Sequence, residues 1–301
     1  MENVVAIFTH NVVPLFAEAN TSSEQISQGL LGDTARVLAQ SEGFVQVRTA
    51  DDYTGWVRAI HLRALQSPDP LDSIAGEYPN AQTCLVGAAF ADVWETPDRT
   101  RLRTKLVWGS RVLWVDTAYW RTGNYAIVLL PAGGYEATVG LPFSLCYMPA
   151  ETLERPAHVR DFNGDAACAL AHRFIGTPYL WGGGTPFGFD CSGFVQRIYS
   201  VLGITIPRDA YLQAQSPLGT FREPGKTMKA GDLVFFARQS DPRGRGITHV
   251  GIALDNKQFL HAVGKTGVTL SAFDSPEVRD VYTVRGAWRV NLARVKAAGK
   301  V

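Results

Sequence analysis

The chain has 301 residues, of which 46% are hydrophobic and 19% charged, an ordinary globular composition with length for two or three domains. A formal net charge of +1, with histidines and lysines scattered rather than patched, gives no electrostatic footprint for nucleic acid. No apolar run is long enough to span a bilayer, and Met1-Glu2-Asn3-Val4-Val5-Ala6-Ile7-Phe8 carries an acid where a signal peptide wants a base. Four cysteines, Cys84, Cys146, Cys168 and Cys191, have neither metal-ligand nor redox spacing. Free thiols, a cytoplasmic location and no metal or cofactor are therefore expected.

From Val4 to Leu65 the pattern is short β runs with turn signals, at 4–8, 12–15, 35–38, 44–48 and 55–57. Strands this short and evenly spaced predict a small barrel. Asp51-Asp52-Tyr53-Thr54-Gly55-Trp56-Val57 resembles the closing hairpin of bacterial SH3-like barrels. Gln66-Ser67-Pro68-Asp69-Pro70 reads as a linker, and a second β-rich segment runs from about Cys84 to Tyr147. It partly echoes the first: Phe44-Val45-Gln46-Val47 precedes Asp51-Asp52-Tyr53, and Tyr125-Ala126-Ile127-Val128 precedes Gly133-Gly134-Tyr135. Without the Gly-Trp pair it is a degenerate SH3-like barrel. Trp94, Trp108, Trp114 and Trp120 are assigned to barrel core and interdomain packing, since aromatics supply so much core area. Residues 149–156 then link to a third domain whose first helix spans 166–174, with Cys168 on its buried face. The expected domains are 1–66, 67–150 and 156–301.

The chemistry concentrates further on. Three consecutive glycines, Gly182 to Gly184, cannot continue a helix or a strand. Asp190 then offers an N-cap, Cys191 falls at the first helical position, and Phe194, Val195, Ile198, Val201 and Leu202 recur at helical spacing until Gly203. A thiol there lies near unpaired backbone N–H groups and the positive end of the helix dipole, which favour the thiolate over the free value of about 8.5. A nucleophile also needs a base. Lys229-Ala230-Gly231-Asp232 reads as a turn into the buried strand Leu233-Val234-Phe235-Phe236. Residues 248–254 and 257–263, split by Asp255-Asn256, read as a β-hairpin. A turn centred near Asn256 puts His249 opposite Val263 and His261 on the same face as His249, with diagonal neighbours about 7–8 Å apart. His249 can then take the thiol proton while His261 holds its tautomer. The bland alternative is a buried structural cysteine and two half-buried strand histidines.

Asp190-Cys191-Ser192-Gly193-Phe194, His249-Val250-Gly251-Ile252 and His261-Ala262 resemble the NlpC/p60 cysteine peptidases, which have a papain-like core. Pro178-Tyr179-Leu180-Trp181-Gly182-Gly183, Ile206-Pro207-Arg208-Asp209-Ala210 and Ala230-Gly231-Asp232-Leu233-Val234-Phe235-Phe236 follow in family order. The resemblance covers roughly 156–292. It implies an α+β fold, a papain-like catalytic domain preceded by two small SH3-like β-barrels. It also implies a Cys191–His249–His261 triad that hydrolyses bonds involving D-amino acids in cell-wall peptides, without a cofactor. Two barrels before such a domain resemble the γ-D-glutamyl-L-diamino acid endopeptidases of wall recycling, which cut after D-Glu in murein peptides with a free N-terminal L-Ala. In that likeness the first barrel closes one end of the cleft. Tyr179, Asp190 and Ser192 would line it, Asp190 offering a free oxygen to the ammonium. Tyr53 and an acid, Glu24 with Glu18 as competitor, would come from the barrel. Arg208 and Asp209 would brace the site. The expected partner is a murein peptide, with meso-diaminopimelate or L-lysine as the diamino acid, and no nucleic acid or membrane; the chain is expected to be a monomer. Rival readings are a secreted hydrolase gripping intact wall, an acyltransferase on the same core, and a non-catalytic wall-binding module, which would need Cys191 or His249 lost.

Overall fold

The computed structural model describes residues 4–115, 125–132, 143–156, 162–238 and 246–298. The chain forms two compact units, Met1–Pro156 and Ala157–Val301.

The N-terminal unit carries two antiparallel sheets. The first comprises β1 (Val5–Phe8), β2 (Val12–Phe16), β3 (Gln25–Leu30), β4 (Thr34–Ser41), β5 (Phe44–Thr49), β6 (Thr54–Arg58) and β7 (Leu62–Ala64). The second comprises β8 (Gln82–Val86), β9 (Phe90–Trp94), β10 (Leu102–Val107), β11 (Arg111–Trp114), β12 (Tyr125–Pro131), β13 (Phe143–Pro149) and β14 (Leu153–Glu154). Their strand orders are β3-β2-β6-β5-β4-β1-β7 and β10-β9-β13-β12-β11-β8-β14, the same order with every number raised by seven. Each sheet curls round its own apolar core, Phe8, Leu15, Val47 and Val57 in the first and Val86, Val93, Val128 and Met148 in the second. Trp108 is fully buried and Trp114 packs on the second core.

The sequence echo falls on equivalent strands, Phe44 opening β5 and Tyr125 opening β12. Register makes the correspondence residue by residue. Val45 faces Val57 and Gln46 faces Trp56, whereas Ala126 faces Met148 and Ile127 faces Tyr147. Cys146-Tyr147-Met148 thus stands where the first sheet has Gly55-Trp56-Val57. Gly133, Gly134, Tyr135 and Trp120 lie outside the described residues.

Two expectations need correction here. β3 is a strand that the short-run reading passes over, because Ser27 and Gly29 occupy buried positions where an alternating pattern wants apolar side chains. A Cβ at Gly29 would meet the Phe8 ring at 2.6 Å. Residues 149–156 are also more than a linker: Leu153 and Glu154 pair with Val86 and Leu85 and complete the second sheet.

The C-terminal unit has α1 (Gly164–His172), a two-stranded ribbon of β15 (Gly184–Thr185) and β16 (Gly188–Phe189), α2 (Cys191–Val201) and α3 (Ala210–Ala214). Then come β17 (Gly219–Arg222), β18 (Leu233–Arg238), β19 (His249–Ala253), β20 (Gln258–Val263), β21 (Gly267–Ala272), α4 (Pro276–Arg279), β22 (Tyr282–Val290) and α5 (Leu292–Ala297). The six longer strands form one sheet in the order β17-β22-β18-β19-β20-β21. The glycine run does enter a strand, since Gly184 pairs with Phe189. α2 closes with Ile204 N–H donating to Tyr199 O at 2.9 Å and Gly203 N–H to Ser200 O at 3.0 Å, the two bonds of a Schellman motif.

Candidate active site

The site has a helix side and a sheet side. On the helix side Asp190 caps α2, its Oδ1 accepting the Gly193 N–H at 2.6 Å. Its Oδ2 accepts the Gly182 N–H at 2.9 Å, which ties the glycine loop to the helix start. Gly193 is required by close approach: a Cβ there would sit 2.1 Å from the Gly183 carbonyl oxygen. Arg208, only 2% exposed, lays its fork across the cap. Nη1 donates to Asp190 Oδ1 at 3.0 Å and to Ser192 Oγ at 2.8 Å, and Nη2 donates to Asp190 Oδ2 at 2.5 Å. Gln213 holds the same corner by donating to the carbonyls of Ser192 at 3.1 Å and Pro207 at 2.9 Å.

This arrangement bears on two of the expected substrate contacts. Both Asp190 oxygens accept hydrogen bonds within the protein, from Gly182, Gly193, Ser192 and Arg208. Ser192 is buried and joined to the same network. Bidentate pairing with further N–H donors is what lets a carboxylate and a guanidinium stay charged in the interior.

On the sheet side Ile252 faces Leu260 and Ala253 faces Phe259. Continued along the ladder, that register sets His249 opposite Val263 and Gly251 opposite His261, as a turn at Asn256 predicts. The two imidazoles meet, His249 Nε2 lying 2.7 Å from His261 Nδ1. Gly251 makes the room, since a Cβ there would be 3.1 Å from His261 Cβ and 2.8 Å from the Leu260 carbonyl oxygen. Two further residues join them that no local motif marks. Ser271 Oγ on β21 is 2.9 Å from His261 Nε2. Tyr282, first residue of β22 and paired with Arg238, stacks on the His249 ring with centroids 4.8 Å apart and planes 20° from parallel. Ser271 comes from the next hairpin, ten residues on from His261, and Tyr282 from a ladder of longer sequence separation.

Cys191 stands between the two sides. The backbone N–H groups of Val250, next to His249, and of Ser192 both donate to its sulfur. Burial nevertheless pushes the thiol up to about 12, and the Asp190 charge adds to that, against those two N–H groups and Arg208. His249 is held well below its ordinary 6.5, first by burial, then by His261 and Arg238; burial alone brings His261 down to about 4. Burial thus opposes charge on both the thiol and the imidazole. The helix start supplies N–H groups that favour the expected thiolate, and desolvation of a charged sulfur works against them. Tyr179, bridged to Phe189 just before the nucleophile, and Tyr282 both keep their protons, raised by burial and by the nearby Cys191.

Tyr53, Glu24 and Glu18 belong to the N-terminal unit. Tyr53 is half-buried on the turn from β5 to β6, where its carbonyl accepts the Thr49 N–H at 2.9 Å. Glu24 is exposed at the foot of β3, and the Glu18 carboxylate accepts from Asn20 Nδ2 at 3.3 Å. Asp209 precedes α3 as its N-cap residue, without a side-chain capping bond.

Residues 176–286 match the model of the NlpC/P60 family, and residues 15–62 match that of the bacterial dipeptidyl-peptidase Sh3 domain. A gamma-D-glutamyl-L-lysine dipeptidyl-peptidase of Bacillus cereus is 28% identical over 247 residues, 78% of this chain and 66% of that protein. The chain spans 31% to 66% of the length of the relatives that carry this name. A probable endopeptidase of Haemophilus influenzae is 36% identical over 120 residues, 40% of this chain and 68% of that protein. The crystal structure of an NlpC/P60 family protein from Bacillus cereus superposes with a TM-score of 0.75 at 20% identity, covering 95% of this chain and 99% of that one.

Proposed function

Because the chain belongs to the NlpC/P60 family, we propose that it is a cysteine peptidase that hydrolyses the bond between γ-D-Glu and the diamino acid of murein peptides bearing a free N-terminal L-Ala. The observation that carries this reading is the meeting at Cys191 of a helix start with the strand that opens on His249, itself bonded to His261 at 2.7 Å. Cys191 Sγ attacks the γ-carbonyl as His249 takes its proton. His249 then returns that proton to the leaving amine, and water, activated by the same imidazole, resolves the thioester. Backbone N–H groups at the start of α2, with the Tyr179 hydroxyl, face the developing oxyanion.

The match of residues 15–62 to a dipeptidyl-peptidase Sh3 domain supports a substrate measured from its amine end. A cytoplasmic place in peptide recycling goes with that preference. The test is turnover of L-Ala-γ-D-Glu-L-Lys and its meso-diaminopimelate counterpart beside their N-acetylated forms. Free peptides should be preferred at least ~100-fold in kcat/KM, since a site built for a buried charged group rejects its absence. Equal rates, or release of peptides from intact wall, would favour the rival reading of a wall hydrolase.

A further inference from the structure

Two imidazoles joined by one hydrogen bond share a single proton, and its position is decided at the far end of the pair. Only 2.7 Å separates His249 Nε2 from His261 Nδ1. If the proton sits on His249 Nε2, its Nδ1 is bare and free to accept the thiol proton, and neutral His261 carries its own proton on Nε2. If the proton sits on His261 Nδ1, His249 is protonated at Nδ1 and cannot act as a base, and His261 Nε2 is bare. The choice between a working and an idle base is therefore the choice between a donor and an acceptor at His261 Nε2.

Ser271 Oγ occupies that position at 2.9 Å. Resting on the peptidase reading above, we infer that Ser271 is a positioning residue, accepting the Nε2–H of His261 and so holding both imidazoles in the tautomer that lets His249 receive the Cys191 proton. Ser271 is half-buried, so solvent can take its own hydroxyl proton and leave a lone pair for His261. A hydroxyl also suits the surroundings. His261 faces Gly251 and the Phe259 ring on its own hairpin and Thr269 across β21, with no carboxylate among them. The charged and titratable groups around His249 are Arg238, Tyr282 and Cys191. A neutral acceptor orients the pair without charging it, whereas a carboxylate would draw a proton onto His261.

The test compares the unmodified protein with Ser271→Ala and Ser271→Thr. In ¹⁵N-histidine NMR spectra at pH 7.5 the unmodified protein should show His249 and His261 both protonated at Nε2. Ser271→Ala should mix the tautomers, and Ser271→Thr should restore the original pattern. With L-Ala-γ-D-Glu-L-Lys, Ser271→Ala should lower kcat about tenfold, the rate equivalent of one ordinary hydrogen bond, with KM unchanged; the threonine variant should recover it. His249 protonated at Nδ1 in the unmodified protein would overturn the inference, as would an alanine variant with unchanged tautomers. The NMR readout uses no substrate. Failure to cleave the peptide would count against the functional proposal and leave the Ser271 inference to be decided by the spectra.

Discussion

The two sides of the site solve opposite problems. The helix side concentrates charge: Asp190 and Arg208 are both nearly inaccessible, and the carboxylate accepts from Gly182, Gly193, Ser192 and both ends of the guanidinium fork. The sheet side is neutral, His249 and His261 both held below their ordinary value and ending on the Ser271 hydroxyl. Charge is placed where nothing moves and neutrality where a proton must move. A buried ion pair with every lone pair satisfied is a rigid anchor, but costly to disturb. A neutral imidazole line leaves the base empty and oriented.

Breaking the proton line should have the largest effect. Cys191→Ser and His249→Asn should each cost at least ~10³-fold in kcat, because groups that act as one unit fail together. His261→Asn should keep measurable activity, since an amide oxygen can still accept the His249 Nε2–H. Finding His249→Asn active and His261→Asn dead would reverse their roles.

Breaking the anchor should appear as lost stability before it appears as lost chemistry. Arg208→Met leaves the buried Asp190 carboxylate with only its N–H and hydroxyl donors, and should cost about 3–5 kcal/mol in denaturant unfolding. Adding Asp190→Asn should recover part of that, because the orphaned charge goes with it. If the double variant is no more stable than Arg208→Met, charge burial is not what the pair relieves.

The neutral side should show itself in the pH dependence of stability. His261 titrates at about 4 in the folded protein against 6.5 when unfolded. Between those values the unfolded chain binds the extra proton, so stability falls as pH drops from 6.5 towards 4 and is fully present above 6.5. The size of that loss is about 3 kcal/mol from His261, and His249 adds in the same direction. Replacing both histidines by asparagine should flatten the slope; an unchanged slope would assign it elsewhere. Iodoacetamide labelling of Cys191 should likewise keep accelerating above pH 9, with Cys84 and Cys168 slower because burial raises both thiols. A plateau below pH 7 would mean a preformed ion pair.

How much of this was legible in the sequence follows from the range of the forces involved. The cap at Asp190, the nucleophile at the first turn and the hairpin register are consequences of neighbouring residues, and local rules reach them. Tyr282 is placed by the β18–β22 ladder, which no local pattern specifies, whereas Ser271 sits on the β20–β21 hairpin, ten residues from His261, within reach of the same hairpin rule. β3 stayed hidden because its inward positions are filled by Ser27 and by Gly29, whose missing side chain clears the Phe8 ring, so it lacks the alternation that marks a strand. The balance of forces on the Cys191 thiol is hidden for a different reason. The helix start is visible in sequence, whereas the desolvation that opposes it depends on everything packed around the sulfur. The second barrel shows the same limit: Cys146-Tyr147-Met148 holds the place of Gly55-Trp56-Val57 with no shared residue, and only the register reveals it.

The smallest effect expected is at Tyr282, and it sharpens the contrast most. Its ring lies 4.8 Å from that of His249 and nearly parallel to it, and its hydroxyl bonds to Arg238. Two roles are separable. If the ring only holds the imidazole plane, Tyr282→Phe should leave kcat within about twofold, because the stack survives. Tyr282→Leu should lower kcat by roughly three- to tenfold, the rate equivalent of an aromatic pair worth about 0.5–1.5 kcal/mol. If instead the phenol donates to the oxyanion, the phenylalanine variant should fall as far as the leucine one. That result would move Tyr282 from the orientation of the base to the stabilisation of charge. The sheet side would then carry a share of the electrostatics assigned to the start of α2.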